Sequence, residues 1–154
     1  MKKYFFYLAV ALMASMWFTS CSDDDDSNES IDYNSKVLGT WFVTSVSQSN
    51  GKTTTFDINK PKDGSQFSMF AKSGNNLKLT SYYFNDNEWS TEDNIIRFDS
   101  HGNMIMILEN GEEEITPTTF HRLTDNEMSI SLERNRIVYT TNFVRVSESR
   151  LPKL

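Results

Sequence analysis

Few residues in this 154-residue chain have the types and spacing for chemistry. Asp99-Ser100-His101 carries the letters of a hydrolytic triad, yet consecutive residues of an extended chain point to opposite faces and cannot relay a proton among themselves. Gly102 follows them, so the four read as a turn. His121 is one of only two histidines, and with a single cysteine far away in sequence no zinc ligand set can be written. Glu112-Glu113-Glu114 follows Asn110-Gly111 and reads as the solvated side of a hairpin, with Pro117 marking an edge or a bulge just beyond. A carboxylate pair for glycoside chemistry must stand about 5–10 Å apart, which no spacing here specifies. No glycine-rich phosphate loop is present. A nucleophile, a base and an orienting group do not assemble, so the expectation is no catalytic residue, no cofactor, no metal and no enzyme.

The remaining reactive group is the thiol of Cys21, and the sequence before it says what it is for. Lys2 and Lys3 make a positive start, residues 4–18 are uncharged and rich in Phe, Leu, Ala and Met, and small residues precede Cys21. That order reads as a secretory signal over residues 1–20, removed from the mature protein. A bilayer span takes about 20 apolar residues, so the run is short for a retained helix. Phe18-Thr19-Ser20-Cys21 resembles the lipobox of lipoproteins, in which a small residue precedes a cysteine that is alkylated with diacylglycerol and becomes the new N-terminus. Thr19 and Ser20 fit that pattern, and Phe18 stands where Leu is usual. The resemblance implies an acylated Cys21. Burying a methylene is worth about 0.8 kcal/mol, so two or more chains make a durable tether to membrane lipid.

Ser22, Asp23, Asp24, Asp25 and Asp26 come next. Like charges in a row repel and stay solvated, so residues 21–36 read as an acidic flexible linker, with a short turn against the domain expected within residues 31–36. An EF-hand loop counted from Asp23 needs Gly at its sixth place and Glu at its twelfth, where Asn28 and Asn34 stand. Ser22 to Asp26 resembles the export signal of Bacteroidetes surface lipoproteins, which carry acidic residues directly after the lipidated cysteine. The resemblance implies an outer-membrane lipoprotein facing the cell surface. The chain as a whole carries a formal net charge of −6, and losing Lys2 and Lys3 makes it more acidic. Such a chain has no electrostatic footprint for nucleic acid and would not hold to anionic lipid by charge.

From residue 37 the pattern is strands. β-Branched and aromatic residues recur over residues 38–47, 52–58, 65–72, 77–85, 94–100, 103–109, 113–123, 127–133 and 136–146, and no stretch keeps a helical period for three turns. Asn50-Gly51, His101-Gly102 and Asn110-Gly111 supply tight turns, with Asp125-Asn126 and Arg134-Asn135 as weaker ones. Met128, Ile130 and Leu132 alternate with Glu127, Ser129, Ser131 and Glu133, as in a strand wet on one face. Residues 104–108 are apolar on both faces, so their outer side needs a cover. The expectation is an all-β domain over residues 37–147, an antiparallel up-and-down meander of eight or nine strands closed into a barrel, with residues 148–154 as a tail. A two-sheet β-sandwich is the alternative.

Leu38-Gly39-Thr40-Trp41 at the start of this pattern and Asn142-Phe143-Val144-Arg145-Val146 at its end resemble the lipocalin (calycin) signature: Gly-x-Trp on the first strand, and an Arg late in the last strand that packs over the Trp. The turn Phe98-Asp99-Ser100-His101-Gly102-Asn103 resembles a hairpin of small lipocalin-like lipoproteins. The fold signature residues are thus Gly39, Trp41 and Arg145. The resemblance implies a lipocalin-like barrel, expected as a monomer, whose mouth binds a small or apolar ligand between inward aromatic and Met side chains. The alternative is a filled barrel whose outer face meets an envelope protein or a glycan.

Overall fold

A computed structural model describes residues 31–154 of the chain. The expectations for the signal, for Cys21, for Ser22 and for Asp23 to Asp26 lie outside the described residues.

The domain is a single antiparallel sheet of ten strands curled into a barrel: β1 (Gly39–Gln48), β2 (Thr53–Thr55), β3 (Gln66–Ser73), β4 (Asn76–Asn85), β5 (Glu88–Phe98), β6 (Met104–Ile107), β7 (Glu113–Thr116), β8 (Thr118–Leu123), β9 (Glu127–Arg134) and β10 (Ile137–Val146). The hydrogen-bonded order is β7-β6-β5-β4-β3-β1-β10-β9-β8, with β2 as a short flap on β1. First and last strands are neighbours, Thr40 lying opposite Val146 and Gln48 opposite Tyr139. This is the up-and-down meander, not the sandwich.

Pro117 explains how the ring closes. The sequence reads residues 113–123 as one strand. Proline has no N–H to give a ladder, and the segment divides there: β7 pairs with β6, and β8 pairs with β9. The wall is therefore completed by one bent segment whose halves bond to different neighbours.

Side chains at alternate positions fill the inside. Trp41, Val43, Phe70, Leu77, Ile96, Phe98, Met128 and Phe143 form one buried cluster with Val37, and Met104, Met106 and Ile130 pack on it. Successive strands deliver them in register, as Phe143 opposite both Val43 and Met128 shows. A second, outer cluster stands apart from this core. Phe42 and Phe67 are buried on the outside, with ring centroids 5.0 Å apart, and Trp89 bridges from Phe67 at 5.5 Å to Phe84 at 5.1 Å. Outside β6, Ile105 is buried between its register partners Arg97 and Ile115.

One end of the barrel is shut. A short helix, α1 (Tyr33–Lys36), lies across it with Asp32 as its N-cap. The Asn34 amide exchanges two hydrogen bonds of 2.8 Å with the backbone of Phe98, and the Tyr33 ring stacks on Phe120 at 4.7 Å. Gly102 sits against both rings, so that a Cβ there would press to 3.1 Å from Phe120 and 3.2 Å from Tyr33.

Candidate ligand-binding site

The other end is open. It holds a cavity of about 470 Å³, of the size that takes a small molecule. The strands bring Val43, Val46 and Gln48 of β1, Gln66 of β3, Tyr83 and Asn85 of β4, Leu132 and Arg134 of β9, and Tyr139 and Thr141 of β10 around it, with Phe56 and Asp63 from the connection after β2.

A β-bulge decides which residues of β1 look in. Strict alternation from Trp41 would turn Val43, Ser45 and Ser47 inward. The register slips at Thr44, so Val43 lies opposite Phe143 while Ser45 lies opposite Asn142. An extra residue in one strand inverts the alternation beyond it. Val46 and Gln48 therefore join Val43 inside, opposite Thr141 and Tyr139. The bulged Thr44 is held by its own hydroxyl, which donates to the Asn142 carbonyl at 3.1 Å. A second bulge, at residue 121, interrupts β8.

Of the successive aromatics Tyr82-Tyr83-Phe84, only Tyr83 faces the cavity. Burial pushes its hydroxyl pKa above the ordinary value; a hydrogen bond with Ser81 opposes this, and the Glu92 carboxylate adds to it. The methionines behave otherwise than expected. Met104, Met106 and Met128 pack in the core beneath the cavity, and its lining mixes aromatic, aliphatic, amide and hydroxyl side chains with the charged Lys52, Asp63 and Arg134, without Met.

The fold signature residues gather at the closed end, away from the cavity. Trp41 is fully buried and donates from Nε1 to the Val37 carbonyl at 2.7 Å. The Arg145 guanidinium lies 4.2 Å over the indole ring. It donates to the carbonyls of Leu38, Lys36 and Asp125, tying α1, the start of β1 and the β8–β9 turn together. Gly39, at φ +114°, runs so close to that guanidinium that a Cβ would collide with it.

The other chemistry-bearing residues stay apart. The Asp99 carboxylate accepts from the backbone N–H groups of His101 at 2.8 Å and Asn103 at 2.9 Å and from the Asn103 side chain at 2.8 Å, which closes the turn at the shut end. Desolvation pushes its pKa up, and these hydrogen bonds outweigh it, so the net shift is downward. His121, in its bulge, meets the Ser131 hydroxyl at 2.8 Å. Glu113 pairs with Arg97 at 2.7 Å on the outer face, and Glu112 accepts from Asn110. Among the described residues no three His, Cys, Asp or Glu converge on a point that could hold a metal ion, and no helix is long and apolar enough to cross a membrane.

No family model and no curated protein matches this sequence. Among solved structures, an odorant-binding protein from bovine nasal mucosa is similar, with a TM-score of 0.45 and 9% identity over 82% of this chain and 78% of that chain. An overlap that loose transfers nothing to this chain, and the cavity must speak for itself.

Proposed function

We propose that the protein is a binding module without catalytic activity, held to the outer membrane by an acylated Cys21 and turned to the cell surface by Ser22 to Asp26, whose barrel mouth takes a small ligand with an apolar body. The hollow end carries this reading. A barrel serving only as a structural plug gains from a filled interior, because cavities cost packing contacts. Here the closed end is filled and the open end keeps about 470 Å³. Val43, Val46, Leu132 and Phe56 offer the apolar surface, and the amides and aromatic hydroxyls around them orient what enters.

An environment-sensitive dye such as anilinonaphthalene sulfonate tests the cavity. It should bind the wild-type chain, and Val46→Trp, which fills the space, should weaken binding by tenfold or more. Equal binding by both proteins would remove the reading. Labelling cells with an alkyne fatty acid should mark the wild-type protein and leave Cys21→Ala unmarked, and protease added to intact cells should shave the domain. Full protection in intact cells would refute surface display.

A second reading draws on Ile115, which is 60% exposed beside the buried Ile105. That outer patch would meet an envelope protein or a glycan. The hollow mouth favours the first.

A further inference from the structure

We propose that the first half of β5 is a docking edge for another protein chain. Its occupant is an extended segment with basic residues at alternate positions, added to the sheet as a further strand. No residue of β5 lines the cavity, so this edge works whatever the mouth binds.

The strand is paired on one side only. β4 runs beside β5 from Glu88, opposite Asn85, to Ile96, opposite Leu77. β6 reaches only as far as Ile95, because the chain turns back after Ile107, with Leu108 bonded to Gly111 and Glu112. Backbone groups of an antiparallel strand point alternately to its two edges. Asp99 donates to the Asn103 carbonyl across the β5–β6 turn at 3.1 Å, while the N–H and C=O of Phe98 face away, to Asn34. Counting back from Asp99, the N–H and C=O of Trp89, Thr91 and Asp93 point to the uncovered edge. Among the described residues no backbone hydrogen bond meets them. Ser90 to Asp93 are exposed. Proteins usually blunt such an edge with lysine, proline or a bulge. Between Asn85 and Ile96 there is no Lys, Arg or Pro, and the pairing with β4 runs without a slip.

The side chains decide what can lie there. Glu88, Ser90 and Glu92 share one face of the strand, and Trp89, Thr91 and Asp93 the other. On the first face Glu88 has no partner among the described residues, and Glu92 accepts only from the Asn94 amide, at 3.2 Å. On the second, Asp93 is already matched by Lys78 at 2.9 Å and by the Thr80 hydroxyl at 2.6 Å. Trp89 ends the outer row of rings there, with Phe84 at 5.1 Å and Phe67 at 5.5 Å. An added strand thus meets carboxylates on one face and an aromatic ring on the other. Cationic side chains alternating with apolar ones answer both. Two other occupants are repelled. A second copy paired antiparallel about Ser90 would set Glu88 against Glu92, and like charges directly opposite destabilise a sheet. The chain's own residues 22–30 carry Asp23 to Asp26 and Glu29, and no base.

The probe is the peptide KVKYKVK, capped at both ends and labelled with fluorescein. Its anisotropy is followed with the chain beginning at residue 21 and carrying Cys21→Ser, in low-salt buffer. The charge-reversed EVEYEVE should bind at least about tenfold more weakly. N-Methylation of alternate peptide amides separates a paired strand from loose charge attraction, because an edge strand gives every second N–H to its neighbour. Methylation in one phase should weaken binding at least about tenfold, and in the other phase less than about threefold. Glu88→Gln with Glu92→Gln should weaken KVKYKVK at least about tenfold. Thr91→Pro removes an edge donor and spares the ladder to β4, so binding should fall at least about fivefold. Circular dichroism shows whether that variant is folded, and the methylated peptides carry the test if it is not. No binding of KVKYKVK, equal binding of both charge versions, or equal effects of both methylation phases overturns the proposal. So does a folded Thr91→Pro that binds like the wild type. A dimer in sedimentation that Thr91→Pro abolishes gives the edge to a second copy. Peptide binding that appears only once residues 22–30 are deleted gives it to the linker. Either result also overturns the proposal.

Discussion

The two ends of the barrel are made from the same ten strands and behave as opposites. At the closed end, Val37, Trp41 and Met128 are fully or almost fully buried, and Arg145 spends its guanidinium on three carbonyls and an indole. At the open end Gln48, Lys52, Asn85 and Asn135 ring a space that no side chain fills. Stability is concentrated where the chain's first and last strands meet α1, and recognition where it is least packed. Loosely packed ends are drawn from the low-stability part of a fold, which is where binding needs adaptable groups.

The largest break in that contrast comes from Trp41→Ala. Truncating a buried Trp removes its transfer free energy and leaves a cavity, about 3–5 kcal/mol in all. It also takes away the surface beneath Arg145 and the donor to Val37. Urea unfolding should show the loss in midpoint, and a change below about 1 kcal/mol would mean that the floor does not hold the barrel together.

Gly39→Ala follows in size. A backbone at φ +114° is strained for any residue with a Cβ, by about 1–3 kcal/mol, and this Cβ would also displace the Arg145 guanidinium. Arg145→Ala in the Gly39→Ala background tells the two costs apart. If displacement matters, the two substitutions together cost less than the sum of each alone, and plain additivity would reject the coupling.

How much of this the sequence carried depends on how many sides of a strand are covered. Where one face is buried, alternation is visible: Met128, Ile130 and Leu132 mark β9 as it stands, and Gly39, Trp41 and Arg145 are readable because bulky or conformationally special residues cannot sit anywhere else. The first half of β5 shows the opposite case. Residues 88–94 run past the end of β6, which pairs only with Ile95 to Phe98, so neither face is well buried and the residues are almost all polar. No periodicity survives to be read. The turn before it, Asp86-Asn87, has both residues at positive φ, and that Asx pair was the available signal. The next such turn lies at Asn135-Arg136, one residue later than the composition suggests. The cavity was less legible than the fold. Its lining depends on the slip at Thr44, which exchanges Ser45 and Ser47 for Val46 and Gln48, and a bulge leaves no mark in a run of Thr, Ser and Val. Residues 113–123 read as one strand because the alternation continues through Pro117 while the pairing does not.

A smaller effect tests the turn at the closed end. The Asp99 carboxylate is held by three hydrogen bonds, and its folded pKa lies below that of the unfolded chain, which is about 3.9. A group depressed in the folded state stabilises above the unfolded pKa, and that contribution drains away as pH falls through the folded value. Melting temperature of the wild type should therefore decline more steeply below about pH 4 than that of Asp99→Asn, the two curves converging in acid. Parallel curves would show that Asp99 gains nothing from being charged there.

The smallest expected change is at the mouth, and it is the sharpest test of the contrast. Gln66 is as buried as many core residues, yet its amide is bonded only loosely, to the Ser68 hydroxyl at 3.3 Å. Replacing both partners of a hydrogen bond by apolar side chains of similar shape is nearly neutral for folding, because the lost bond and the relieved desolvation offset one another. Gln66→Leu together with Ser68→Ala should shift the urea midpoint by less than the equivalent of about 1 kcal/mol in either direction, whereas Gln66→Leu alone strands the buried Ser68 hydroxyl and should cost about 1–3 kcal/mol. A pair this buried at the closed end could not be exchanged so freely. If the double substitution instead destabilised the chain as Trp41→Ala does, Gln66 would be part of the scaffold, and the division between a holding end and a recognising end would fail at the residue on which it most depends.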